Sequence, residues 1–545
     1  MNLKEELQRI LKGEVMDDEE TLKKYSTDAS IFEIKPRIVV FPEDKKDIQR
    51  LVVFVNEHPK EKLSITCRAA GTDMSGGPLN DSIIVDFTKH MNKLLDVGED
   101  YAIVEPGMLY KDFSEEIKQR NLLFPSYPAS KDMCAIGGML ANNSGGEKSL
   151  AYGKTENYVN ELTVILRDGK EYTLRPLSKR DLAAKLRKKD LEGELYGKIH
   201  DLTEKNYDAL QAARPKVSKN SAGYYLWNVW DKKTFNLIKL FIGSQGTLGI
   251  IVEAKLKLVV PKKHSAVLVV FMRNLDPLVS IVQKVLEGKP ESFESYDDHT
   301  LKLALKYFFE LVKLIGAKNI FSLGLRFLPE VTMLITGGLP KLVLLGEFTG
   351  DTETEAAQKA KEARASLRGF GLATRIAKKP QDIEKYFTIR RQSFNLLRHH
   401  IKNKKSSPFI DDIIVQPEKL PQFLPELNAI LGQYPKLIYT IAGHVGDGNF
   451  HIIPLVDLRD SAMRRIIPEL EKKVHDLVFK YQGSMTAEHN DGIIRTPYLK
   501  QMYGAAIVRL FEETKKIFDP NTIFNPRKKI GADVKYLAAH IMEHN

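Results

Sequence analysis

With 545 residues the chain is too long for one compact core, and roughly two to four folding units are expected. Hydrophobic residues at 43% and charged residues at 28% exclude a disordered chain. The formal charge of +11 is concentrated in short runs, SKRDLAAKLRKKD (178–190), RHHIKNKK (398–405) and PRKK (526–529), and their lack of interleaved aromatics excludes a nucleic-acid platform.

The N-terminal stretch MNLKEELQRILKGE reads as a charged amphipathic helix without the apolar core or cleavage site of a signal peptide. RIVVFP (37–42) follows as a strand, KKDIQRLVVFVNEH (45–58) as a helix with an apolar stripe, and LSITCRAAG (63–71) as a buried strand, a β-α-β opening. Strand-like runs recur at SIIVDFT (82–88), YAIVEPG (101–107), ELTVILRDG (161–169) and IIVEAKLKLVV (250–260). The cluster PKKHS (261–265) marks the main domain boundary. Beyond it, SAVLVVFM (265–272) and PKLVLLGEFTG (340–350) read as strands. DTETEAAQKAKEARASLRGFG (351–371), DIEKYFTIRRQSFNLLRHHIK (382–402) and RRIIPELEKKVHDLVFKYQG (464–483) read as helices, and KLIYTIAG (436–443) and FHIIPLV (450–456) as paired strands. No repeat of fixed period is present, so this second unit is expected to be α+β with an antiparallel sheet. The most apolar stretch, 331–348, is broken by Gly337, Gly338, Pro340 and Lys341, which argues against a spanning helix of about 20 apolar residues. Cys67 and Cys134 form no Cys-x-x-Cys pair for zinc or an iron–sulfur cluster, and they fit a reducing, cytoplasmic compartment.

Three glycine-rich loops follow strand-like runs in the first unit: AAGTDMSGG (69–77), IGGMLANNSGGEKSLAYGK (136–154) and GSQGTLGI (243–250). Glycine lets backbone N–H groups approach a ligand closely, so such loops suit phosphate oxygens. Neither G-x-G-x-x-G opening a helix nor a P-loop is present, which excludes those two fingerprints.

GHVGDGNFHIIP (443–454) places His444 and His451 around the turn Gly446-Asp447-Gly448-Asn449. On one straight strand an odd offset would point them to opposite faces, whereas a turn between two strands lets them converge. Glu488 or His489, in TAEHNDG, offers a third donor, and two histidines with a carboxylate suit Zn²⁺ or Mn²⁺. Hydrogen-bonding scaffold remains the competing reading.

RAAGTDMSGG, PSYPASKDMCAIGGMLANNSGGEKSLAYGKT, GSQGTLGIIVEA, GHVGDGNFH, AEHNDGIIRTPYL and FDPNTIFNPRKKI occur in one order. Together they resemble the vanillyl-alcohol oxidase/p-cresol methylhydroxylase superfamily, in the branch of D-lactate dehydrogenases, D-2-hydroxyglutarate dehydrogenases and the glycolate oxidase flavoprotein subunit. The resemblance implies an α+β fold. An N-terminal helical segment (1–30) would precede a two-lobed FAD-binding domain (31–261), followed by an α+β substrate domain (262–515) and a C-terminal segment (516–545) packed back near the flavin.

It implies that Ala70, Gly71, Thr72, Asp73, Met74, Ser75 and Gly76 wrap the FAD pyrophosphate. Pro128, Ser130, Gly137, Gly138, Asn142, Gly145, Tyr152 and Gly153 would line the ribityl chain and isoalloxazine, and Gly249, Ile250 and Ile251 would meet the adenine side. The FAD would be non-covalent, since no histidine lies in the first two loops to tether it. Ala69 and Ala70 stand where the family usually has glycines, a change that keeps the backbone N–H groups.

The metal ligands implied are His444, His451 and Glu488, with His489 as general base; Asn490-Asp491 replaces the family's next glycine. Arg390 or Arg391 would clamp the substrate carboxylate, and adjacent helical residues point about 100° apart, so one of the two faces the site. The activity implied is oxidation of a D-2-hydroxy acid, with electrons leaving to a quinone, a cytochrome or a separate iron–sulfur or electron-transfer protein. The basic runs then read either as solvated faces or as docking surfaces for such a partner or for the inner face of a membrane. A flavin oxidase of a sugar or alcohol, and a non-catalytic FAD subunit, are the alternatives.

Overall fold

The computed structural model describes residues 2–306, 338–400, 404–435 and 437–544. Residues 331–337 of the apolar stretch and 401–403 of the second basic run lie outside it. Among the described residues no helix is long and apolar enough to cross a membrane.

The first sheet has the order β1-β2-β4-β3, from β1 (Glu14–Met16), β2 (Ile38–Phe41), β3 (Ile65–Arg68) and β4 (Ile83–Asp86). β2, β4 and β3 run parallel, and the helix Lys45–Glu57 makes the crossover the sequence predicts. Asp44 caps that helix by accepting from the backbone N–H groups of Lys46 and Asp47, and its stripe of Ile48, Leu51, Val52 and Val55 packs against Ile38, Val40 and Val85.

The second sheet is antiparallel, in the order β5-β6-β11-β7-β8. It comprises β5 (Leu94–Val97), β6 (Tyr101–Val104), β7 (Val159–Ile165), β8 (Glu171–Leu174) and, arriving last, β11 (Ile250–Lys257) at the centre. A short ribbon of β9 (Leu177–Ser178) and β10 (Thr234–Phe235) lies beside it. The alternation of buried and half-buried residues along β11 is that of a strand with one face in the core.

The third sheet is antiparallel and eight-stranded, ordered β15-β12-β14-β13-β18-β19-β16 with β17 paired to β19. Its strands are β12 (His264–Met272), β13 (Ser292–Asp297), β14 (Leu342–Gly350), β15 (Ala373–Ala377), β16 (Lys405–Ser406), β17 (Ile413–Ile414), β18 (Ile438–His444) and β19 (Asn449–Val456). Ala266, Leu268 and Val270 of β12 face helices Leu278–Glu287 and Glu353–Ser366, while Val267 and Val269 face helix Pro380–His400 through Tyr386, Phe387 and Ile389. The α+β class and the antiparallel sheet of the second unit are as expected. The strand β13 is an addition, because SFESYD shows no alternation and all six of its residues are buried.

The chain after helix Leu499–Phe518 returns to the first sheet, where Ile523 and Phe524 join the core beneath β3. Asn525 donates to the carbonyls of Gly77 and Gln245 and so ties two glycine-rich loops together. The basic run 526–529 is not a surface patch: Lys528 and Lys529 are buried. Lys529 donates to the carbonyls of Ser221 and Gly223 and pairs with Asp491 at 2.9 Å, so its charge is matched internally.

Candidate active site

β18 and β19 form a hairpin closed by Val445–Gly448, one residue earlier than the turn expected from sequence. His444 lies opposite Asn449 and Ala442 opposite His451, so both histidines project from one face, with ring centroids 5.2 Å apart and planes at 86°. Gly448 adopts φ +73°, and a Cβ there would lie 2.0 Å from the carbonyl oxygen of Val415. Gly448→Ala is therefore expected to cost about 1–3 kcal/mol or more, read as a lowered thermal midpoint; an unchanged midpoint would contradict this reading of the turn.

Neighbouring strands bring carboxylates to the same face. Glu294 of β13 accepts at Oε1 from His444 Nδ1 at 2.7 Å. Asp411, just before β17, lies 3.1 Å from His451 Nδ1 and, through its other oxygen, 2.9 Å from His489 Nδ1. That second pair is close but not aligned as a hydrogen bond. With each Nδ1 turned to a carboxylate, the Nε2 atoms of His444 and His451 are left facing Glu488, 3.3 and 3.5 Å from its Oε1. Imidazoles oriented by carboxylates in this way are the pattern of metal-binding histidines.

Asp412 holds the segment that carries Glu488 and His489. Its Oδ2 accepts from the Thr486 hydroxyl at 2.6 Å and from the N–H groups of Glu488 and His489 at 2.9 and 2.7 Å, and its Oδ1 accepts from Asn449. Donor atoms of Asp412, His451, Glu488 and His489 lie within 4.8 Å of one another. Both Asp412 oxygens are already taken, which makes Asp412 a brace, while His444, outside that group, brings its Nε2 to 3.3 Å from Glu488 Oε1.

The charges are strongly coupled. Burial works against ionisation of Glu488, yet Lys219, with Nζ 3.3 Å from Oε2, and His444 hold it well below the usual carboxylate range. Burial also opposes the charging of His451, but Asp411 and Glu488 push it up to about 10. His489 is raised as well, Asp412 and Asp411 outweighing its burial. Lys219 is itself raised against burial by Glu488 and Asp447.

The two arginines separate as their helical geometry requires. Arg390 points to the histidines: its Nη2 is 3.5 Å from His444 Nδ1 and paired with Glu294, and its Nε is buried without a hydrogen-bond partner among the described residues. Arg391 turns to Glu147 in the loop of the first unit.

Part of the expected FAD set lies half-exposed beside this cluster. Ala70 to Met74, Gly137, Gly138 and Asn142 are half-exposed, and Cβ atoms added at Gly138 and Gly246 would meet only Ala69 and Cys67, each at 3.8 Å. Small residues facing open space on two sides fit a flat, phosphate-bearing ligand. Asp73 is turned inward, accepting from Ser75, Gly77 and Asn142, so it shapes the loop. Ser75 and Gly76 are buried behind it. Pro128 and Ser130 stay half-exposed at the far rim, and Tyr152, followed by the positive-φ Gly153, donates to Glu291. Gly249 and Ile250 face protein: a Cβ on Gly249 would meet Ile165, Leu166 and Phe241, and Ile250 lies in the core beside Ile165. The side chain of Ile251 packs against the core of the second sheet.

These loops and the cluster adjoin. A Cβ on Gly145 would lie 2.9 Å from Glu488 Oε2, and Lys154 donates to the carbonyl of Ala487 at 2.6 Å. Asn490 explains the departure from glycine. It adopts φ +70°, a conformation asparagine tolerates, and its amide donates to the carbonyls of Asn142 and Gly243, stitching the His489 segment to two FAD loops.

Residues 36–175 match the family described as FAD binding domain, and residues 261–529 that described as FAD linked oxidases, C-terminal domain. The chain carries an FAD-binding domain followed by the C-terminal domain of FAD-linked oxidases. This flavoprotein is 27% identical over 524 residues to a D-2-hydroxyglutarate dehydrogenase of Pseudomonas putida, covering 95% of this chain and 50% of that one. It is 26% identical over 545 residues to glycolate oxidase subunit GlcD of Bacillus subtilis, covering 98% of each. The flavoprotein thus spans about half the length of the first relative and the whole of the second. In fold it is similar to 4-ethylphenol oxidase from Gulosibacter chungangensis, with a TM-score of 0.69 at 15% identity, covering 98% of this chain and 97% of that one.

Proposed function

We propose that this flavoprotein is a dehydrogenase that oxidises a D-2-hydroxy acid to the 2-keto acid, with a divalent cation, Zn²⁺ or Mn²⁺, held by His444, His451 and Glu488. The observation that carries the proposal is the convergence of two histidine Nε2 atoms on Glu488 Oε1, each imidazole backed by its own carboxylate, beside the loop that carries Gly145. The names of the two relatives, acting on 2-hydroxyglutarate and glycolate, point to the same substrate class.

Arg390 would bind the substrate carboxylate, for which its unpartnered Nε is available. His489, with Nδ1–H turned to Asp411, would take the hydroxyl proton at Nε2. The cation would supply Lewis acidity that lowers the hydroxyl pKa, displacing the proton that His451 carries. Bound FAD supplies the acceptor for the hydride leaving C2. The electrons would pass on to a quinone, a cytochrome or an electron-transfer protein, and that the GlcD relative is named as a subunit fits an acceptor carried by another chain.

The test is anaerobic. D-lactate or another D-2-hydroxy acid is expected to bleach the flavin, chelator to prevent bleaching, and Zn²⁺ or Mn²⁺ to restore it. Bleaching by an alcohol or sugar instead would favour the oxidase reading, and bleaching that ignores chelator in metal-free protein would remove the cation. FAD is expected to appear in the supernatant after acid precipitation; yellow colour retained in the pellet would show a covalent link. Artificial dye or quinone reduction should far outpace reaction with O₂, and peroxide formed at a comparable rate would argue against a dehydrogenase.

A further inference from the structure

The loop Gly145–Lys148 crosses from the FAD-binding unit onto the face of the third sheet that bears the histidines. Gly145 lies against Glu488, Glu147 meets Arg391, and Lys148 pairs with Glu291. Arg391 Nη2 is 2.8 Å from each Glu147 oxygen and its Nε is 3.3 Å from one of them, while the guanidinium sits 5.2 Å above the Phe387 ring. Although burial opposes ionisation of Glu147, Arg391 holds its carboxyl down to about 2, so the pair is ionic across the working range.

The two neighbouring arginines take different partners. Arg390 borders the histidines, and Arg391 already grips a carboxylate that the chain itself supplies. On the same sheet face Ala442 lies opposite His451 and Ile453 two residues beyond it, both half-buried.

We propose that Glu147 sets the substrate class: its carboxylate takes, on Arg391, the place of a substrate's second carboxylate, so the site accepts monocarboxylic 2-hydroxy acids and disfavours dicarboxylic ones. The inference rests on the 2-hydroxy-acid reading above. A dicarboxylate must either displace Glu147 from a two-oxygen contact or bring a further negative charge beside it, and both are unfavourable in a buried setting.

The experiment compares kcat/KM for dye-coupled oxidation of D-lactate and of D-2-hydroxyglutarate by the FAD-loaded wild type and by Glu147→Gln, with the flavin spectrum confirming that the variant is loaded. The wild type is expected to favour D-lactate by about tenfold or more, and Glu147→Gln to lower that ratio by about tenfold, the worth of one charge-assisted contact. Equal or better use of D-2-hydroxyglutarate by the wild type overturns the inference while leaving the 2-hydroxy-acid reading standing, as does an unchanged ratio in the loaded variant. Failure of both acids with the wild type removes the reading on which the inference rests. Should the variant not retain flavin, the wild-type ratio decides alone.

Discussion

His451→Ala is expected to abolish turnover while the protein stays folded and yellow. The FAD loops belong to the first unit, whereas the His451 ring pairs with Asp411 and Glu488 of the second. After the substitution Asp411 keeps His489, and Glu488 keeps His444 and Lys219, so no buried carboxylate is stranded without a cation. Metal affinity is another matter. Loss of an outer partner alone weakens a metal site by about 10- to 100-fold, so loss of one of three protein ligands should remove the ion at ordinary concentrations. Metal analysis, flavin absorbance and dye-coupled turnover read the three effects separately. Full turnover with normal flavin content would make the histidines scaffold and leave the chemistry to His489 and Arg390.

The hairpin that carries these histidines was legible because its signals are local. Two apolar runs around a turn with glycines state a hairpin, and a hairpin puts residues at an odd offset on one face. The helix with Arg390 and Arg391 was legible for the same reason, and its geometry sends the two side chains to different partners, His444 and Glu147. The carboxylates were not. Glu294 lies on a strand with no alternation, since both faces of that strand are covered, and nothing in SFESYD says that its glutamate will meet a histidine 150 positions later. Asp411 and Asp412 gave a readable sign, two acids inside the apolar run FIDDIIV, which burial permits only with partners. His451, which meets Asp411, and His489, which meets Asp412, lie 40 and 77 positions downstream and come into reach only when β17 pairs with β19. The basic run 526–529 misled in the opposite direction: a charge cluster usually marks solvent, yet Lys528 and Lys529 are buried because main-chain carbonyls and Asp491 receive them.

His489→Ala should give the second large effect, and it distinguishes a base from a ligand. His489 belongs by distance to the same group of donor atoms as His451 and Glu488, so proximity alone does not assign its role. Its surroundings do. The ring stacks on His451 with centroids 5.1 Å apart, its backbone N–H is held by Asp412, and its Nδ1 lies near Asp411 without forming an aligned hydrogen bond. A ligand is expected to be firmly oriented, as His444 is by Glu294 at 2.7 Å, whereas a base in the free enzyme commonly has a loose partner that tightens when substrate arrives. The variant should therefore keep its metal and its flavin while anaerobic flavin reduction slows by about 10² to 10⁴. Loss of the metal together with activity would move His489 into the ligand set and hand the proton to another acceptor. A change smaller than about tenfold, with metal retained, would deny it either role.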